Sequence, residues 1–268
     1  MNKIAFIISI FMQLYFLQNV QAQSKSADKK DQEVLRIMSY NIHHANPPSK
    51  PGFIDLDAIA RVINDAKADI VALQEVETGV NRSGRVDEAK MLAEKTGLHY
   101  QFFKAIDHDG GDYGIAILSR YKMQDVKLVP LPQKITAEKR ILGYATIRVG
   151  KQKFILANTH LDATKIHDNR VVQMEGILKE FEKSTLPVIL CGDLNSVAGT
   201  EVINLLDQQF KRTCTEDCPG TIPHDNPRRT IDFIATKDIK WQLLKYEVIP
   251  ESYASDHRPV MATFSIRK

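Results

Sequence analysis

The sequence predicts a mixed α/β domain in which strands and helices intermingle. Six short apolar runs each adjoin a polar residue fit to hold a cation or a phosphate, and amphipathic helical periods lie between them. With 268 residues, 43% of them hydrophobic, the chain is long enough to bury a full core as one domain. It shows no repeat at solenoid or propeller periods, and no Pro-rich or Gly/Ser-rich linker within its body.

The N-terminus reads as a targeting segment. Lys3 gives a positive start, residues 4–17 are apolar apart from Ser9 and Gln13, and Val20-Gln21-Ala22 supplies small residues for cleavage. The run is short for a bilayer span, so residues 1–22 are expected to be a signal peptide directing export to the periplasm or beyond. No Cys stands near the cleavage point to anchor a lipid. Residues 23–33 follow as a polar, disordered lead-in, and the domain is expected over 34–268.

The domain begins with the run Leu35-Arg36-Ile37-Met38-Ser39-Tyr40-Asn41. Asp55 is placed to cap a helix whose Leu56, Ile59, Ala60 and Ile63 share one face. Ile70-Val71-Ala72-Leu73-Gln74-Glu75 is the next strand, and Asp87 caps a second helix that stops at Gly97. Phe102-Phe103 reads as strand; Tyr113, ahead of the run 115–119, either reaches a rim or stands on an edge strand. After the run 154–162 comes a helical stripe of Val171, Met174, Leu178 and Phe181. Val188-Ile189-Leu190-Cys191-Gly192-Asp193-Leu194-Asn195 precedes a helix capped at Thr200, and the runs 230–234 and 255–260 complete the set. Polar ends of buried strands gather at one mouth of a sheet.

Charge and cysteines narrow the setting. The formal net charge is +3, and loss of Lys3 with residues 1–22 leaves +2, too little to argue for nucleic acid. Cys214 and Cys218 are close enough in sequence for a local disulfide in an oxidising compartment, with a zinc site involving His224 as the rival. Cys191 follows three apolar residues and is expected to be buried and inert.

Six motifs, in order, resemble the endonuclease/exonuclease/phosphatase superfamily, the deoxyribonuclease I-like enzymes. They are Ser39-Tyr40-Asn41, Leu73-Gln74-Glu75-Val76, Thr159-His160-Leu161, Gly192-Asp193-Leu194-Asn195, Ile231-Asp232-Phe233-Ile234 and Ser255-Asp256-His257-Arg258-Pro259-Val260. The resemblance implies a four-layer sandwich of two mixed β-sheets flanked by helices, with the site at one end. It also implies a divalent-metal-dependent hydrolase of phosphate esters.

Glu75 ends a run too apolar for an unpaired carboxylate, so it must be paired, protonated or metal-bound. Mg²⁺, or Mn²⁺ in its place, takes one or two carboxylates and keeps several waters. Glu75 is therefore the expected ligand, with Asn41 as ligand or orienter and Asp256 joining at the metal. In the resemblance, Asp193 orients or deprotonates the attacking water and Asn195 holds the phosphate; an Asx-turn would also favour both residues. The resemblance also pairs Asp232 with His257, which is then expected to bind the phosphate as a cation or take the water's proton. The resemblance makes His160 a phosphate ligand or an acid for the leaving oxygen, against the alternative of a core histidine, and Asp162 is placed to reach back to it. Ser39 and Ser255 lack a committed base, so direct water attack is expected rather than a covalent intermediate.

The substrate reading is broader. Arg82 and Arg85, in the loop after Glu75, are the candidates for a second phosphate or an acidic headgroup; Arg140, Arg170, Arg228 and Arg229 are scattered through loops. A nuclease should show basic residues along a groove, and a sphingomyelinase-like phosphodiesterase an exposed apolar hairpin. Neither pattern is evident, so a small or lipid-headgroup ester is preferred over nucleic acid, acted on by a monomer without a membrane span in the mature chain. A silent binding module should have lost a metal or phosphate residue, and all the central positions are intact.

Overall fold

The computed structural model describes residues 33–266. The expected signal peptide lies outside them, as does the lead-in up to Gln32; Glu33 already belongs to the first strand. The first half of the domain contains β1 (Glu33–Asn41), α1 (Leu56–Asp65), β2 (Ile70–Thr78), α2 (Glu88–Thr96), β3 (His99–His108), β4 (Gly111–Ser119), β5 (Met123–Pro130) and β6 (Ile141–Val149). The second half contains β7 (Gln152–His160), α3 (Asp168–Phe181), β8 (Val188–Asp193), α4 (Glu201–Gln209), β9 (Lys211–Arg212), β10 (Asp232–Lys237), β11 (Gln242–Val248) and β12 (Val260–Ile266).

Two six-stranded sheets result, in the orders β11-β12-β1-β2-β4-β3 and β5-β6-β7-β8-β10-β9. Each has one parallel pair at its centre, β1 with β2 and β7 with β8, joined across a helix; the other pairings are antiparallel. The sheets exchange hairpins: β5 and β6 complete the second sheet, β11 and β12 the first.

Strand alternation builds the layers. Leu35, Ile37, Ile70 and Ala72 of the first sheet meet Phe154, Leu156, Ile189, Cys191 and Ile234 of the second in a shared core. The opposite faces carry Tyr40, Val71 and Leu73 under α1 and α2, and Ala157, Leu190 and Phe233 under α3 and α4. This is the four-layer sandwich. The shared core has one polar key near the site end: buried Gln74 donates to Asn158 Oδ1 at 2.7 Å, and Asn158 returns bonds to Leu73 O and Ala116 O at 2.8 and 2.9 Å.

The expected caps hold at Asp55 and Asp87, whose carboxylates accept from Ala58 N and Lys90 N at 2.9 and 3.0 Å, and at Gly97, which takes φ 70°. Thr200 occupies its N-cap position, but its hydroxyl donates to Val197 O at 2.8 Å and caps nothing. Tyr113 is buried on β4, an interior strand, so its edge-strand reading is corrected.

Candidate active site

The strand periods bring the polar ends together. On β8, Ile189 and Cys191 face the shared core, so two residues on Asp193 does too, at the strand's end. Register places His160 of β7 on one side of Asp193 and Asp232 of β10 on the other. Leu35 and Ile37 set the same parity on β1, which turns Asn41 inward from the opposite sheet. His257 comes from the loop ahead of β12, where Ser255 Oγ donates to Asn41 O at 2.7 Å.

Glu75 needs a different device. Regular alternation after Val71 and Leu73 would turn it under the helices. Instead the β2–β4 register slips between Gln74 and Val76, and Glu75 takes φ 57° as the extra residue. The bulge returns Val76 to the helix-side core and frees Glu75 for the mouth. Asn195 at φ 46° and the turn His43–Ala45, with φ from 42° to 51°, add left-handed residues around the same mouth.

Asp193 Oδ2 is the centre. It accepts from Asn41 Nδ2 at 3.1 Å and faces His160 Nε2 at 3.6 Å and His257 Nε2 at 3.7 Å. Its other oxygen accepts from Asn195 N at 2.9 Å, closing the Asx-turn. Burial, and then the charge of Asp232, raise the Asp193 carboxyl to about 7. Burial works against a charged His257, but Asp232, hydrogen-bonded to its Nδ1 at 2.9 Å, and Asp193 outweigh it and lift the imidazole to about 10.

His160 is the opposite case. Burial and then the neighbouring Arg140 hold it well below the usual histidine range, so it is neutral. Arg140 Nη1 lies 3.1 Å from His160 Nδ1, and a guanidinium can only donate. Nδ1 is thus the acceptor, and the ring's hydrogen sits on Nε2, facing the mouth. Asp162, expected to reach His160, is occupied instead by Thr164 Oγ1 at 2.6 Å and Asn169 Nδ2 at 3.2 Å.

Asn41 Nδ2 also donates to Glu75 Oε1 at 2.9 Å, while its Oδ1 accepts from His43 N at 3.0 Å, so here it orients two carboxylates. Glu75 Oε2 makes no hydrogen bond among the described residues; His44 Nδ1 approaches it at 4.0 Å. Burial raises the Glu75 carboxyl against the Asn41 bond, and the charge of half-buried Asp256 adds to the rise. These carboxylates fit a hard divalent cation. Ligand atoms of Asp193, Asp232 and His257 also lie within 4.8 Å of one another, a second group that could bind a metal.

Asn195 Nδ2 is held by Leu161 O at 3.1 Å. Arg82 is committed to buried Glu77, Nε to Oε1 at 2.6 Å, whereas Arg85 donates only its Nε to the neutral Asn81 Oδ1 at 2.8 Å and has no acid partner among the described residues. Sequence reasoning left Arg140 among scattered loop residues and gave His44 no role. Arg140 carried a readable signal: it immediately precedes an apolar strand, much as His257 precedes β12.

No helix among the described residues is long and apolar enough to cross a membrane. No curated protein matches the chain. Among solved structures, it is similar to an endonuclease/exonuclease/phosphatase from Beutenbergia cavernae DSM 12333, with TM-score 0.72 and 22% identity over 87% of this chain and 72% of that one. The mannosyl-6-phosphatase Bt3783 of Bacteroides thetaiotaomicron VPI-5482 gives TM-score 0.67 and 18% identity over 87% of this chain and all of that one. The human Nocturnin catalytic domain with bound sulfate gives 0.68 and 20%, over 87% and 94%. At these identities the likeness shows the fold. The Endonuclease/Exonuclease/phosphatase family matches residues 38–257, nearly the whole described domain, and the chain belongs to that family of phosphoester hydrolases.

Proposed function

We propose that this protein is a divalent-metal-dependent phosphoesterase that cleaves a small or lipid-headgroup ester by direct attack of water. The observation that carries the reading is the buried Asp193 carboxylate with three side-chain nitrogens converging on one oxygen. Above a pH of about 7 Asp193 is ionised and takes the proton of the attacking water. The new O–P bond forms as the P–O bond to the alcohol breaks, and the departing oxygen takes up a proton from solvent. His257, cationic through Asp232, and neutral His160 present Nε2–H groups to the phosphoryl oxygens, where charge builds. Asn195, on the adjoining turn, offers a further polar contact to the phosphate.

Glu75 and Asp256 would hold Mg²⁺ or Mn²⁺, with Asn41 fixing the Glu75 carboxylate. A divalent cation held by these residues would supply neutralisation of the negative charge that builds during phosphoryl transfer. The Asp193–Asp232–His257 group suits proton handling better than cation binding, because an imidazolium beside the site repels a metal. The apolar segment at residues 4–17 supports export of the enzyme.

The test is phosphate and alcohol release from supercoiled DNA, sphingomyelin, sugar phosphates and inositol phosphates. Each is assayed with Mg²⁺, Mn²⁺ or chelator, beside Asp193→Ala. Metal-dependent release from a small or headgroup ester, lost in the variant, is expected. DNA nicking alone would replace the reading with a nuclease; silence across the panel would overturn it.

A further inference from the structure

Beyond the end of β8 and the start of β10 lies a pocket of about 420 Å³. Its apolar surfaces are Val197, Ala198 and Phe233, and its basic wall is Arg228 and Arg229. Val197 and Ala198 belong to the loop that begins at Asn195, and Phe233 follows Asp232 on β10 with its side chain on the opposite face. The pocket therefore shares two strand ends with the catalytic group.

We propose that this pocket binds a second phosphate on the alcohol part of the substrate. The arginines are free to do so. Arg212, beside them, is committed to Asp207 through two bonds of 2.8 and 2.9 Å. Arg228 and Arg229 are anchored only by their backbones, N to Ile222 O at 2.9 and 3.1 Å, and neither guanidinium has an acid partner among the described residues. A planar guanidinium fork suits phosphate, and an apolar floor with a few fixed polar groups suits a small organic ligand. Asp217, the one carboxylate of the wall, would accept from a hydroxyl of the ligand. Together these features select a second phosphate on a hydroxylated carbon skeleton, as in a sugar bisphosphate.

The arginine loop is built to hold its shape. The Cys214–Cys218 disulfide closes its base, and Thr230 Oγ1 donates to Pro219 O at 2.8 Å. At Gly220 a Cβ would lie 2.8 Å from Pro227 C, so only glycine lets the two limbs approach. The loop also grips the catalytic segment: Arg258 N donates to Thr221 O at 2.7 Å and His224 N to Asp256 O at 2.9 Å. Recognition at the arginines and placement of His257 thus belong to one braced unit.

The inference rests on the phosphoesterase reading for its scissile group, and the test separates the two. Binding of glucose 1,6-bisphosphate and of glucose 6-phosphate is measured by calorimetry on Asp193→Asn protein in Mg²⁺, and hydrolysis of both on the wild type. The bisphosphate is expected to bind at least about tenfold tighter, the factor one charge-assisted hydrogen bond carries. Arg228→Gln/Arg229→Gln, checked for an unchanged Tm, should collapse that ratio towards unity, and the double Lys variant should restore part of it. Equal affinities, or a ratio that survives the Gln pair, overturn the pocket. A ratio that depends on the arginines without hydrolysis of either sugar phosphate keeps the anion pocket and overturns its pairing with the scissile group, whereas the phosphoesterase reading falls only with silence across the ester panel.

Discussion

The two sheets share one plan and differ where it matters. Each places a parallel pair at its centre, so Asn41 of β1 corresponds to His160 of β7, and the end of β2 to the end of β8. His257 enters ahead of β12 as Arg140 enters ahead of β6. Around Asp193 the second sheet keeps regular register, with β8 paired unbroken to β7 and β10, and it seals Asp193 at 1% exposure. The first breaks register, and Glu75 keeps 21% of its side chain exposed. A sealed carboxylate holds its proton and can act as a base near neutrality; a carboxylate lifted by a bulge is open to a cation. One residue inserted in one strand separates these tasks.

The largest effect should come from the sealed side. Asp193→Ala is expected to lower kcat by about 10³- to 10⁴-fold, with KM changed far less, in steady-state assays. Near-normal turnover from folded variant would remove Asp193 from the chemistry.

On the open side, Glu75→Gln should weaken Mn²⁺ binding by at least about 100-fold in calorimetry, while Asp232→Asn leaves it nearly unchanged. The reverse order would move the cation to the Asp193–Asp232–His257 group.

The pH profile sharpens the contrast. Asp193 must be ionised and His257 protonated, so kcat/KM should rise through about pH 7 and fall through about pH 10. Asp232 is the first of the charges raising His257, so Asp232→Asn should draw the alkaline limb downward. An alkaline limb that stays in place would detach it from His257.

The smallest effect compares the first residues of α2 and α4. Glu88 is fully buried, with its carboxyl pushed well above 4.5 by burial; Glu201 is exposed. A raised carboxylate lends the fold stability below its unfolded pKa and loses it as pH rises. Glu88→Gln should therefore gain Tm over the wild type progressively from pH 4 to pH 8, about neutral at the acid end, whereas Glu201→Gln stays within about 0.5 kcal/mol throughout. Parallel melting curves for both variants would refute the difference.

Much of this was legible in residues 34–266. Capping at Asp55 and Asp87 and the stripe through Met174, Leu178 and Phe181 are local signals, and local signals survive folding. The six polar strand ends gather because register and alternation decide their direction. The rest depended on how irregular segments fold back, even over the five residues from Glu77 to Arg82 or the seven from Asp162 to Asn169. Nothing near Arg82 announces that Glu77 will claim it, and nothing near Asp162 announces that Asn169 will. The bulge at Glu75 was hidden because Gln74-Glu75-Val76 reads as unbroken strand, and only the strand opposite shows the extra residue.

The exchanged hairpins carry a consequence for the order of synthesis. Until β11 and β12 emerge, β1 presents an open edge, and His257 itself lies between those last two strands. An unfinished chain has neither a complete first sheet nor its imidazolium. On the proposed mechanism a chain cut before His257 lacks both, and no ester hydrolysis is expected from it.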